Sequence, residues 1–396
     1  MNYERVDKME TGTHNLQTNR QTDRQITRQS NFELLRIVAM VMIVFYHFAV
    51  HGGFNFDSTT LSIPRFWFNF IIMGGKTGVN IFVLISGYFL IQSKSTKASI
   101  NKILKLWGQV FFYSVTIYVI NIALGGGISI KQFIIAFMPM TRAAWWFAST
   151  YFVLYIIHPY LNLFLHSMDK LLYQCYLLLL LLMWCIVPTF LSTAFEGNNL
   201  CWFITLYSLA GYYRLYGFNK IVTKYAGIIA IIFTILTYCT SVIFTILGTK
   251  WAFFSEHNRY FYAAKSLPTL AISICIFVAF AKLNIKYSKW INIVSSATFG
   301  VYLIHDNRFV RPFLWKVVFH NAKFQDSILL VPYSIAVVAI VFIFCTLLDL
   351  LRQRVIERPY MQLVNRNTDK LSTVVKKVSN FFSGILFGNE SMSYSE

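Results

Sequence analysis

Arg36 and His47 stand eleven residues apart in the apolar run NFELLRIVAMVMIVFYHFAVHGGF. On a helix at about 100° per residue, that spacing returns to within about 20° of one face, about 16 Å further along the axis. Ionisable side chains inside a span are costly, so each needs a reason. A neutral imidazole can take a proton from a hydroxyl nucleophile. A fixed guanidinium can hold a phosphate or a developing negative charge. Together they would suit a reaction that joins a donor on one side of a bilayer to an acceptor on the other. His51 follows His47 by one turn. The plainer alternative is that Arg36 snorkels to the interface and His47 bonds a neighbouring helix.

These residues need an apolar helical scaffold, and the composition supplies one. The 396 residues are 56% hydrophobic and only 13% charged, and mean hydropathy is +0.54. Average soluble chains carry about 25% charge. Apolar runs long enough to cross a bilayer occur near 33–52, 68–92, 103–123, 145–165, 172–190, 199–215, 225–247, 262–281, 291–305 and 328–351. The expected fold is therefore all-α, a polytopic membrane bundle of about ten transmembrane helices. Roughly two thirds of the 35 Lys and Arg fall in one alternate set of connections, which predicts both termini on the cytoplasmic side. The net charge of +19 lies in short runs between spans, not on a folded basic face, so nucleic acid is not an expected partner.

Residues 1–30 read as a disordered cytoplasmic tail, 31–360 as the membrane domain and 361–396 as a second cytoplasmic tail. Within the latter, 371–387 carries an apolar face and two flanking lysines, Lys376 and Lys377. It reads as a helix lying on the membrane surface or as an unstructured tail. The stretch after His305, broken by Arg308, Arg311 and Pro312, reads as interfacial. All six cysteines lie in apolar runs without a CxxC pair, so neither disulfides nor a metal site are expected.

Five stretches, in order, resemble the acyltransferase-3 family of membrane acyltransferases. FELLRIVAMVMIVFYHFAVHGG matches the family's Arg, ten residues, then His, here Arg36 and His47. GGKTGVNIFVLISGYFLI ends in the Ser-Gly-aromatic of Ser86, Gly87 and Tyr88. WWFASTYFVLYIIHPYLN resembles its Trp-Phe segment. SSATFGVYLIHD resembles FG-x-YL-x-H and gives His305. VIERPY resembles the closing acidic-x-Pro and gives Glu357 and Pro359. The family's Arg-x-x-Arg pair is replaced by Lys94 and Lys97, so that role is not carried over.

The resemblance implies acyl transfer, usually acetyl from acetyl-CoA, to a hydroxyl of a surface polysaccharide or its lipid-linked precursor, in a bacterial cell membrane. His47 would be the general base or a transient acyl carrier, with His305 beside it, and Arg36 would orient the donor. His51, Asp306, Trp145, Trp146, Glu256 and His257, all placed by the topology near the outer side, would meet the carbohydrate. The two tryptophans serve equally well as interfacial anchors. Lys102 and Lys105, with Arg36, would meet the CoA phosphates, although positive-inside charge accounts for both lysines. His158 reads as structural. Two other classes stay open. A glycan transporter would suit ten spans, but the acids Glu33, Asp306, Asp349 and Glu357 sit at span ends and none is mid-span. A non-catalytic scaffold would not need the Arg36–His47 pairing.

Overall fold

The structure, a computed structural model, describes residues 29–191 and 198–387. The expectations for residues 1–28 and 388–396 lie outside the described residues. Among the described residues there is no strand. The helices are α1 Ser30–His51, α2 Ile63–Leu90, α3 Ile100–Ala123, α4 Ile130–Phe137, α5 Trp146–His166 and α6 Lys170–Leu191. They continue with α7 Asn199–Tyr216, α8 Lys220–Leu247, α9 Leu267–Lys282, α10 Lys289–Ser296, α11 Thr298–His305, α12 Leu330–Arg366 and α13 Thr368–Phe387.

Eight helical stretches are long and apolar enough to cross a membrane. Each of the ten expected spans is helical, but two are built differently from a simple span. The 199–215 segment forms α7, which is buried on nearly every side from Trp202 to Tyr212. A helix that meets protein all round can carry Tyr, Ser, Thr and Gly, because no side of it must match lipid. The 291–305 segment is not one helix but two, α10 and α11, parted at Ala297. The Thr298 hydroxyl donates to Ser295 O at 2.8 Å and the Ser296 hydroxyl to Ile293 O at 2.7 Å. Such side chains offer the backbone a local alternative to the regular ladder.

The bundle has α2 and α7 at its centre. Gly87 marks where they meet: a Cβ there would lie 2.8 Å from Tyr207 O, so only glycine lets the two backbones approach. The centre of α2 is largely buried, whereas α6 and α8 lie at the rim. On α8, Ile228, Ile231, Ile235 and Leu236 face outward, as a lipid-facing stripe would.

The end of the chain differs from expectation. Helix α12 does not stop at 360. It widens into a π turn at Gln353–Glu357 and continues to Arg366, with Val364 buried and Asn101 donating to Asn365 at 3.1 Å. Pro359 has no N–H for the ladder, and the wide turn just before it absorbs that loss. The last long apolar helix therefore runs six residues past 360. Ser30, placed in the N-terminal tail by the sequence, begins α1, is buried, and accepts from Ser288 N at 2.9 Å. The segment after His305 is helical in part and partly anchored to the core. It folds into short helical turns whose Trp315, fully buried, packs edge-on against Phe48 at 6.0 Å and His305 at 6.4 Å.

Candidate active site

One stripe of α1 faces two chambers. Near its C-terminal end, Met40, Ile43, His47 and His51 line a cavity of about 210 Å³, closed on the other sides by Lys76 of α2, Trp146 and Phe147 of α5, and Phe299, Tyr302 and Asp306 around α11. Near its N-terminal end, Glu33 and Arg36 line a second cavity of about 310 Å³ with Ser86, Lys105, Gln109, Tyr151, Ser295 and Glu357. The eleven-residue spacing thus puts one functional group in each.

His47 and His305, from helices far apart in sequence, meet with Nδ1 and Nε2 2.8 Å apart, both rings buried. The other His305 nitrogen, Nδ1, lies 2.6 Å from Val301 O. A carbonyl can only accept, so His305 Nδ1 carries a proton and the neutral ring presents Nε2 as an acceptor. His47 Nδ1–H must then donate to it. This leaves the lone pair on His47 Nε2, the nitrogen that lies toward Asp306 at 3.6 Å. The relay fixes the tautomer without a carboxylate.

Asp306 Oδ1 is the focus of the first chamber. His47 Nε2, His51 Nε2 and Arg311 Nε each lie 3.6 Å from it, and no hydrogen-bond partner lies closer. Groups this near but not bonded can share one oxygen lying to the side of them in the chamber, such as a substrate hydroxyl. His47, His51 and Asp306 also present ligand atoms within 4.8 Å of one another, a spacing that a metal ion would accept. Arg311, however, sits 3.6 Å from Asp306 and 3.4 Å from His51 Nε2. Its guanidinium already supplies the positive charge there, and a second cation would be repelled. Lys76 has no carboxylate within salt-bridge distance among the described residues. Its ammonium rests on the Tyr46 and Trp146 rings at 5.3 and 5.5 Å.

The second chamber is charge-balanced. Arg36 pairs with Glu33 at 3.0 Å, and Lys105 with Glu357 at 2.7 Å. Arg352 joins Glu357 at 2.7 Å to the fully buried Asp349 at 2.7 Å, which also accepts from Tyr113 at 2.7 Å. Hydroxyls and amides (Ser86, Ser295, Gln109 and Gln353) make up much of the remaining lining.

The structure brings together His47, His51, Asp306 and Trp146 in the first chamber, with His305 buried behind His47, and Arg36 and Lys105 in the second. Four expected residues stay apart. Trp145 is buried beside a small void with Asn307 and Arg308. Lys102 is exposed and lines neither chamber. Glu256 is exposed, and the His257 ring stacks on Phe253 at 4.4 Å with Nδ1 2.7 Å from Phe253 O. Both sit at the end of the short Ala252–Glu256 turn and line neither chamber, because that turn packs on α8. His158 is buried with Nδ1 2.5 Å from Tyr155 O, a structural contact. Sequence reading passed over Lys76 and the site role of Arg311. A cation inside GGKTG, within an apolar run, was the available signal for the first. Arg311 was not recoverable, since only the folding of 306–319 brings it back over Asp306.

All six cysteines are free. No curated protein and no solved structure shows a significant match to the chain. The family model for the acyltransferase-3 domain, described as an acyltransferase domain, matches residues 29–350, which include both chambers' α1 residues and the His47–His305 pair. The chain belongs to the acyltransferase-3 family and is a multi-pass membrane acyltransferase.

Proposed function

We propose that the protein transfers a short acyl group, acetyl foremost, from acyl-CoA to a hydroxyl of a cell-surface polysaccharide or its lipid-linked precursor, in a bacterial cell membrane. The observation that carries this reading is the Val301–His305–His47 relay, which leaves His47 Nε2 as a free base on the chamber opposite the Arg36 end of the same helix.

The acceptor hydroxyl enters the chamber beside His47 Nε2 and Asp306 Oδ1. Nε2 takes its proton as the oxygen attacks the thioester carbonyl; the new C–O bond forms, the C–S bond breaks, and the leaving thiolate takes the proton back from the imidazolium. Asp306, held by Arg311, stabilises the imidazolium. Lys76, without a carboxylate of its own, meets the developing oxyanion. Trp146 offers a face for a sugar ring. The balanced charges of the Arg36 chamber suit the amide-rich pantetheine arm better than the phosphates, which fall to the exposed Lys94, Lys97 and Lys102 at the neighbouring connection. With the Lys- and Arg-rich connections inside, the Arg36 chamber faces cytoplasmic acyl-CoA and the His47 chamber faces the glycan.

The test is the O-acyl content of surface polysaccharide, counted by NMR in a deletion strain complemented at matched expression. Wild type restores the acyl signal. His47→Ala leaves it reduced by about 10²–10⁴-fold, the range of a lost general base. An unchanged O-acyl content on deletion, with less polymer exported, contradicts the proposal.

A further inference from the structure

The two chambers share three side chains, Phe82 of α2, Phe147 of α5 and Phe299 of α11, and no others. The cavities therefore abut at these three phenyl rings. The rings are braced from both sides. Phe82 and Phe147 lie 6.3 Å apart edge to face, Phe147 stacks on Tyr151 at 6.0 Å, and Phe147 and Phe299 each contact Tyr302, at 5.9 and 6.2 Å. No polar side chain is common to the two chambers, so a charged group would cross without a partner, which is costly in a buried path. A neutral thioester end would cross without that cost.

We propose that Phe82, Phe147 and Phe299 form an aromatic sleeve that admits only the thioester end of the donor, and that its width selects short acyl chains. This rests on the acyl-CoA reading above. The thioester carbon must reach His47 Nε2 while the thiol arm stays on the Arg36 side, so the acyl group lies within or just beyond the rings. The chamber past them, about 210 Å³, must also hold the acceptor hydroxyl, which leaves little room for a longer chain. The same rings keep water from filling both chambers at once. When they are cut back, water takes the acceptor's place: its proton goes to His47, its oxygen bonds the carbonyl carbon, the C–S bond breaks, and a carboxylic acid and free CoA thiol result.

The experiment uses the full chain in liposomes with acetyl-, butyryl- and hexanoyl-CoA, glycan from the producing cell as acceptor, and two readouts, acyl transfer and thiol release without acceptor. Wild type and the single variants Phe82→Ala, Phe147→Ala and Phe299→Ala are compared. Where an Ala variant is not monodisperse in detergent, Phe→Leu replaces it. One methylene in an apolar pocket discriminates by about 10-fold or more. The butyryl-to-acetyl transfer ratio should rise by at least about 10-fold in the Phe147 and Phe299 variants, with thiol release rising alongside. An unchanged ratio and unchanged thiol release in all three, with acetyl transfer continuing, overturns the sleeve and leaves the acyltransferase reading intact. If wild type transfers no acyl group from any of the three donors, the acyl-CoA reading falls and the sleeve falls with it.

Discussion

At the scale of single residues, the proposed chemistry depends on which His47 nitrogen carries the proton, and His305 decides that. Replacing His305 with Ala removes the acceptor for His47 Nδ1–H and lets the ring turn; a misplacement of this kind costs about 10²-fold in kcat. His305→Gln keeps an amide oxygen in reach of Nδ1 and should recover much of the loss with KM nearly unchanged. Equal losses in both variants would show that His305 does more than position the ring. A sequence reader could pick out His47 and His305 separately, from an imidazole in an apolar run and from the FG-x-YL-x-H resemblance. Their contact was hidden, because it depends on α11 crossing α1 from 258 positions away. Glu256 and His257 line neither chamber, for the converse reason. Nearness to the same membrane face follows from topology, but nearness to His47 requires the packing of one short turn.

Among the elements, the joint between α11 and α12 is held by a buried carboxylate. Gly300 lies where a Cβ would collide with the Asp349 carboxylate, so the glycine of the SSATFGVYLIHD stretch is a packing requirement. Asp349 is fully buried and accepts from Tyr113, Arg352 and Gln353. Asp349→Ala leaves Arg352 buried with one partner fewer. It should cost about 3–5 kcal/mol, read as a lowered Tm of the detergent-solubilised protein. A Tm within error of wild type would show that water or Glu357 compensates. The sequence placed Asp349 at a span end, since hydropathy marks where an apolar run stops and not how far the helix continues; α12 runs on through its π turn. Helix α13 exposes Val374, Val375, Val378, Phe382 and Ile385, the face expected of a surface-lying helix. An environment-sensitive fluorophore at Phe382 should shift to the blue on adding anionic vesicles. No shift would mean that this face does not meet lipid.

For the molecule as a whole, the account needs the two chambers to open toward opposite sides of the membrane. The polytopic all-α bundle and the order of its apolar helices were legible because hydrophobic length is a property of sequence alone; eight helices, against about ten expected, are long and apolar enough to cross. The central position of α7 and the break at Ala297 were not, because both depend on what the helices pack against. Orientation is testable directly. In a cysteine-free background, Ser58→Cys, between α1 and α2, should react with an impermeant maleimide on intact cells, and Ser167→Cys, between α5 and α6, only after permeabilisation. The most direct test of the central claim is vectorial transfer in oriented proteoliposomes, with labelled acetyl-CoA on one face and acceptor glycan on the other. The account predicts labelled glycan only when acetyl-CoA is on the Arg36 face and glycan on the His47 face, and a loss of about 10²-fold or more with His47→Ala. Equal labelling with donor and acceptor together on the His47 face would contradict it.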